Sequence, residues 1–174
     1  MKIKTLFLFV TGLLAFNTSI SAQESTSSLL NKAQIEATKE GKTIFIKFEA
    51  SWCGWCKKMT KDMKAIGTKD FFDANYVTVP VVVKESKGKE HLENPGSTEL
   101  LKKYNGEKAG LPFWVILDAD LNVITDSYNA KGQNLGAPGT KEETDIFIEK
   151  IKKSAKKVTE NDVASIKNQF VLKS

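Results

Sequence analysis

TIFIKFEASWCGWCKKM, residues 43–59, decides how the rest of the chain is read. From Thr43 to Ala50 it is largely apolar on both faces, which predicts a central strand covered on each side. Cys56, Met59, Met63 and Ile66 then recur at steps of three and four, so a helix is expected from Cys53 to Ile66, ended by Gly67. Cys53 and Cys56 are the only two cysteines of the chain. A disulfide between them closes almost no loop, so it gains little chain-entropy stabilisation. The pair therefore asks for a chemical explanation.

Its position supplies one. The segment Ser51-Trp52-Cys53-Gly54-Trp55-Cys56-Lys57-Lys58 sits where a strand ends and a helix begins. A helix N-terminus carries partial positive charge that stabilises a thiolate, and Lys57 and Lys58 add positive charge nearby. Cys53, at the start of the helix and facing solvent, is expected to be the attacking thiolate. Cys56 continues the buried stripe and is expected to resolve the mixed disulfide from inside. Zinc is the competing chemistry. One CxxC supplies two ligands where a structural site takes four, and His91 is the only histidine. No metal is expected, and His91 reads as a surface residue of a polar loop.

Working outward, residues 25–40 read as a helix, with Leu29, Leu30, Ala33 and Ala37 at helical spacing and Gly41 as the stop. Residues 70–74 read as a short turn. Residues 76–83 (YVTVPVVV) are the clearest strand by composition. Pro80 cannot donate to a ladder, so this strand belongs at a sheet edge. A polar loop covers 85–96, and a helix runs from Ser97 to Tyr104. Residues 112–117 and 121–126 form a hairpin closed by Asp118-Ala119-Asp120. Residues 128–140 are a loop rich in Gly and Asn. Helices return over 141–157 and 160–170. Strands 43–50 and 76–83, joined by a helix, are expected to be parallel with a right-handed crossover.

The N-terminus has the three parts of a secretory signal: Lys2 and Lys4, an apolar run from Leu6 to Phe16, and small or polar residues up to a cleavage point near Ala22. The run is shorter than the about 20 residues of a membrane span, so residues 1–22 are expected to be removed. The protein would then be periplasmic or secreted, with one domain over 23–174. Loss of the two leader lysines takes the net charge from +5 to +3. The chain contains no arginine, the residue suited to bidentate phosphate recognition, so no nucleic-acid partner is expected.

Phe48 to Lys57 resembles the active-site segment of the thioredoxin superfamily, with Gly-Trp between the cysteines in place of the usual Gly-Pro. Asn94-Pro95-Gly96 and Leu100 to Tyr104 resemble the helix before that family's second signature, and Gly110-Leu111-Pro112-Phe113 resembles the signature itself. In the family this proline is cis and faces the cysteines, and the residue before it offers backbone bonds to the partner chain. The resemblance assigns these roles to Pro112 and Leu111, and it spans about residues 35–155. Two departures stand out. Many members carry a buried acid where this chain has Lys47, and Glu49 lies two residues on, on the same strand face. Glu49, paired with Lys47, either replaces that acid or points with Lys47 to solvent. The first strand of the larger form is also missing, which makes 76–83 an edge. The expected fold is therefore α/β, thioredoxin-like, with a minimal four-stranded mixed sheet flanked by helices, a preceding helix and a C-terminal helical extension.

The resemblance implies an exported thiol–disulfide oxidoreductase, with reduction of protein disulfides favoured because the site is more like thioredoxin than like the oxidases. No cofactor beyond the Cys53–Cys56 disulfide is implied. The implied partners are disulfide-containing proteins and a membrane-embedded electron donor, and a monomer is expected. Trp52 and Trp55 flank the cysteines. Trp55 is expected in an apolar docking rim, Trp52 in local packing, and Trp114 in the core. The alternatives are a disulfide oxidase or isomerase, and a binding module that uses the fold without turnover.

Overall fold

In the computed structural model, which describes residues 23–172, six α-helices surround one sheet. The expected leader, residues 1–22, lies outside the described residues. Helix α1, Thr26–Glu40, starts at Ser25, whose hydroxyl accepts from the Ser28 amide at 3.3 Å. It stops at Gly41, whose φ of 67° lies in the left-handed region that glycine enters without steric cost. Leu30, Ala33 and Ala37 are the apolar positions it buries, with Thr26 at its first turn.

The sheet has the order β2-β1-β3-β4, built from β1 Thr43–Glu49, β2 Tyr76–Val82, β3 Phe113–Leu117 and β4 Val123–Asp126. β1 pairs parallel with β2 and antiparallel with β3, and β3 pairs antiparallel with β4. The central place of β1 and the edge place of β2 are as expected, and the exposed Pro80 stands opposite Lys47 in the register. The β3–β4 connection is longer than Asp118–Asp120. It runs to Asn122, because the Asp118 carboxylate gathers the amides of Asp120 and Asn122 and Leu121 takes a φ of 66°. The Asn122 side-chain amide and then its backbone N–H hold the Asp118 carboxyl below its usual range.

Side-chain alternation along β1 sorts the core into two halves. Ile44, Ile46 and Phe48 face α1 and α4 (Ser97–Lys103), with Val77, Val79 and Val81 of β2 and Val115 of β3. Phe45 faces the other way. It belongs to the cluster that holds Met59 and Met63 of α2 (Gly54–Met63), Phe71 and Phe72 of α3 (Lys69–Asn75), Phe147 of α5 (Lys141–Ser154) and Phe170 of α6 (Glu160–Phe170). Thr140 and Glu143 form a capping box at the start of α5, as Thr159 and Asp162 do for α6. Helix α2 ends three residues before the expected end, at Met63, so Ile66 leaves the buried stripe and is 101% exposed. Among the described residues no helix is long and apolar enough to cross a membrane.

Candidate active site

β1 delivers the chain to the top of the sheet, and a tight turn returns it into α2. The Cys53 amide donates to the Ala50 carbonyl at 3.0 Å, and Cys53 is the N-cap of α2. Its sulfur accepts from the Cys56 amide at 3.1 Å, which satisfies one of the helix's free donors. Cys53 and Cys56 are joined by a disulfide, their Cα atoms 5.3 Å apart. The pair lies at the positive end of a ten-residue helix. In this bonded state the expected solvent-facing Cys53 is not found. Cys53 is 3% and Cys56 2% exposed, because both pack with Ala50 and under Leu111.

The Leu111–Pro112 peptide bond is cis, as the family resemblance implies. Pro112 is buried, Leu111 is half-buried, and Leu111 packs against the cysteine cluster. The two tryptophans beside the cysteines are 55% (Trp52) and 50% (Trp55) exposed. Trp52 is nonetheless tethered, its indole N–H donating to the Lys84 carbonyl at 2.9 Å. Next to it, the Glu85 carboxylate accepts from the amide and hydroxyl of Ser51. Desolvation pushes the Glu85 carboxyl up, but those bonds, the Ser86 amide and the charge of Lys89 together hold the group below its ordinary range. The Trp55 ring lies over Gly139, where a Cβ would meet its Cζ3 and Cη2 at 3.4 Å. Trp114 is wholly buried, and its indole donates to the Gly136 carbonyl at 2.9 Å.

Lys47 and Glu49 do not both point to solvent. Lys47 is 3% exposed, beneath α2. Its ammonium pairs with Glu49 at 2.6 Å and donates to the Thr60 hydroxyl and, at 3.4 Å, to the Cys56 carbonyl. Glu49 is partly exposed, in an open groove of about 550 Å³ that Ala50, Cys56, Lys57 and Thr60 also line. A carboxylate thus reaches the surface groove beside Cys56, held by a buried ammonium.

The two lysines after Cys56 diverge. Lys57 is exposed and lines the same groove. Lys58 turns away from the cysteines. Its ammonium pairs with the buried Asp62 at 2.6 Å and donates to the carbonyls of Pro138 and Phe170 at 3.0 and 2.8 Å. Its charge is committed to α6 and the 128–140 loop, which corrects the expectation that it supports the thiolate. His91 is exposed on a short 3-10 turn, Glu90–Leu92.

Two residues without a local sequence signal shape the other side of the site. Lys84, at a φ of 56°, donates to the carbonyls of Glu107 and Ala109 at 2.7 and 3.0 Å. Asn134 donates to the carbonyls of Gly110 and Pro112 at 2.8 and 3.1 Å. Both act across 20 or more residues of sequence, where no spacing rule reaches.

A family model described as a thioredoxin-like domain matches residues 30–133. An uncharacterized protein of Haemophilus influenzae is 28% identical over 138 residues, covering 70% of this chain and 86% of that one. Among solved structures, the disulphide isomerase from Xylella fastidiosa is 19% identical at a TM-score of 0.48, over 65% of this chain and 78% of its own. The C-terminal domain of Neisseria meningitidis DsbD in the oxidised form is 20% identical at a TM-score of 0.47, over 76% and 99%. The family match spans well over half the chain and contains the cysteine pair, the four strands and the cis-proline loop, so the protein belongs to the thioredoxin-like domain family.

Proposed function

We propose that this protein is an exported thiol–disulfide oxidoreductase that reduces protein disulfides through Cys53 and Cys56. One observation carries the reading: a cysteine pair at the N-cap of α2, packed under the residue that precedes a cis proline. In the reduced protein the Cys53 thiolate attacks one sulfur of a substrate disulfide. That S–S bond breaks, a Cys53–substrate disulfide forms, and the first substrate thiolate leaves. Cys56, deprotonated in turn, attacks the Cys53 sulfur. The mixed disulfide breaks, the Cys53–Cys56 bond forms, and the second substrate sulfur leaves with its electrons. Two electrons pass from the enzyme dithiol to the substrate, whose sulfurs leave as thiolates, and the protons of the enzyme thiols go to solvent.

Each neighbour has a place in this scheme. The α2 N-terminus and Lys57 favour the Cys53 thiolate. Glu49, held by Lys47 and open to the groove beside Cys56, takes the Cys56 proton and passes it to water. Leu111 and Pro112 bound the place where the substrate chain lies, and Trp55 with Trp52 forms its apolar rim. Return to the dithiol needs an external reductant; for a protein beyond the cytoplasmic membrane that is a membrane-embedded dithiol donor. Export rests on Lys2, Lys4, the apolar run and the small residues up to Ala22.

Reductase, oxidase and isomerase share this chemistry, and the potential of the pair decides among them. Equilibration of the Cys53–Cys56 pair with glutathione is expected to give a value near the thioredoxin range of about −270 mV. A value towards about −120 mV would make the protein an oxidant that installs disulfides. A pair that never exchanges would leave only a binding module.

A further inference from the structure

The loop over residues 128–140 is not part of the exchange scheme, yet one of its side chains reaches into the site. The Asn134 amide uses all four of its hydrogen-bonding positions. Its NH₂ group donates to the carbonyls of Gly110 at 2.8 Å and Pro112 at 3.1 Å. Its oxygen accepts from the Ser127 hydroxyl at 2.7 Å and from the Gly136 amide at 3.1 Å. The wholly buried Ser127 hydroxyl in turn accepts from the backbone N–H of Trp114 in β3. A continuous chain of bonds thus runs from the sheet, through Ser127 and Asn134, to the carbonyls on either side of Leu111.

Leu111 itself is left open. Its amide and carbonyl take no partner among the described residues, although the carbonyls of Ala109, Gly110 and Pro112 are all tied. An open backbone donor and acceptor beside a disulfide can pair with an extended chain whose own disulfide is presented to Cys53. A shallow cleft of about 280 Å³ lies alongside, lined by Trp55, Leu111, Pro112, Asn134, Leu135 and Ala137. Such pairing needs the Leu111 peptide groups held at one angle to the sulfur, and small displacements of a docking group are costly.

We infer that Asn134 is a positioning residue for substrate: by fixing the carbonyls of Gly110 and Pro112, it holds the Leu111 backbone to receive an extended polypeptide beside Cys53. This inference rests on the exchange reading above. It also separates substrates by size, because a small disulfide needs only the cysteines, whereas a polypeptide needs the Leu111 backbone as well.

The test is Asn134→Asp, which keeps the oxygen that serves Ser127 and Gly136 but puts an acceptor where the two N–H donors were. Steady-state reduction of insulin, recycled by dithiothreitol, is compared with reduction of the small disulfide dithiobis-nitrobenzoate, and the thermal midpoint is read alongside. The expected result is a KM for insulin raised about tenfold, with kcat and the small-disulfide rate within about twofold. Asn134→Ala, which removes the donors without adding charge, is expected to give the same split and serves if the aspartate variant does not fold. A parallel fall with both substrates, or an unchanged insulin KM, would overturn the inference while leaving the exchange reading intact. Absence of any exchange by the native protein would overturn both.

Discussion

Lys47 is a charged residue on a strand whose other faces are closed, and it is tolerated because nothing about its ammonium is left unpaired. Glu49 supplies the counter-charge, and Thr60 and the Cys56 carbonyl take its remaining donors. A buried charge stripped of its partner is strongly destabilising, so Glu49→Gln is expected to lower stability. If Glu49 carries the Cys56 proton, the same variant slows disulfide reduction and alters its rate–pH profile. An unchanged rate and profile would reduce the pair to a structural one. Glu85 gives a second prediction at this scale. Against desolvation, its carboxyl is held low by the bonds from Ser51, with the Ser86 amide and the Lys89 charge beside them. That contribution is therefore full above the ordinary glutamate value of about 4.3 and is lost as pH falls through the lower folded value. Tryptophan fluorescence of the native protein is expected to change in that acid range as the Ser51–Trp52 turn loosens, and Glu85→Gln should lack that component. Residue identities in the CxxC segment and the Leu-Pro pair were legible in the sequence because their chemistry is local. The pairing of Lys47 with Glu49 was legible only as one of two options, since period-two alternation places both on one face without saying what covers it.

Elements were legible where apolar periodicity drove them and misread where a polar contact set the boundary. The stripe Cys56, Met59, Met63 predicted α2 correctly, and extending it to Ile66 failed because the chain turns after Met63. There the Thr68 hydroxyl donates to the Asp62 carbonyl. Asp62 pairs with Lys58 one turn earlier on α2 at 2.6 Å, but its burial gave no signal, because it comes from a distant partner, the Gln169 amide of α6 at 2.9 Å. Together they fasten α6 to α2 behind the cysteines. Asp62→Ala is expected to cost about 2–3 kcal/mol, measured by urea unfolding, and to raise the mobility of α6 more than that of β1. For the sheet, Pro80 correctly marked an edge. Hydrogen exchange is expected to protect β1 and β3 throughout but only alternate amides of β2; full protection of β2 would mean a further strand covers it.

At the scale of the whole molecule, the segment beyond residue 158 is part of the core. Phe170 lies against Phe147 and Phe72, with ring centroids 5.1 and 6.1 Å apart, and Ile166 is wholly buried beside them. Phe170→Ala is expected to cost about 3–5 kcal/mol in the same unfolding experiment, with one cooperative transition for sheet and α6 together. A loss below about 1 kcal/mol would mean that α6 docks loosely. The four-stranded architecture could be read from the missing first strand and the edge proline. The α6 attachment could not, because its helical period fits any apolar surface and the sequence does not say which. What the fold achieves is to bring three distant segments, the α2 N-cap, the Leu111–Pro112 loop and the 128–140 loop, around one disulfide. The measurement that bears most directly on its purpose is trapping with Cys56→Ser. Incubated with a disulfide-containing protein and analysed by mass spectrometry, this variant is expected to accumulate a covalent adduct on Cys53, and Cys53→Ser to accumulate none. No adduct on Cys53, or an adduct formed equally by Cys56 when Cys53 is absent, would contradict the exchange mechanism.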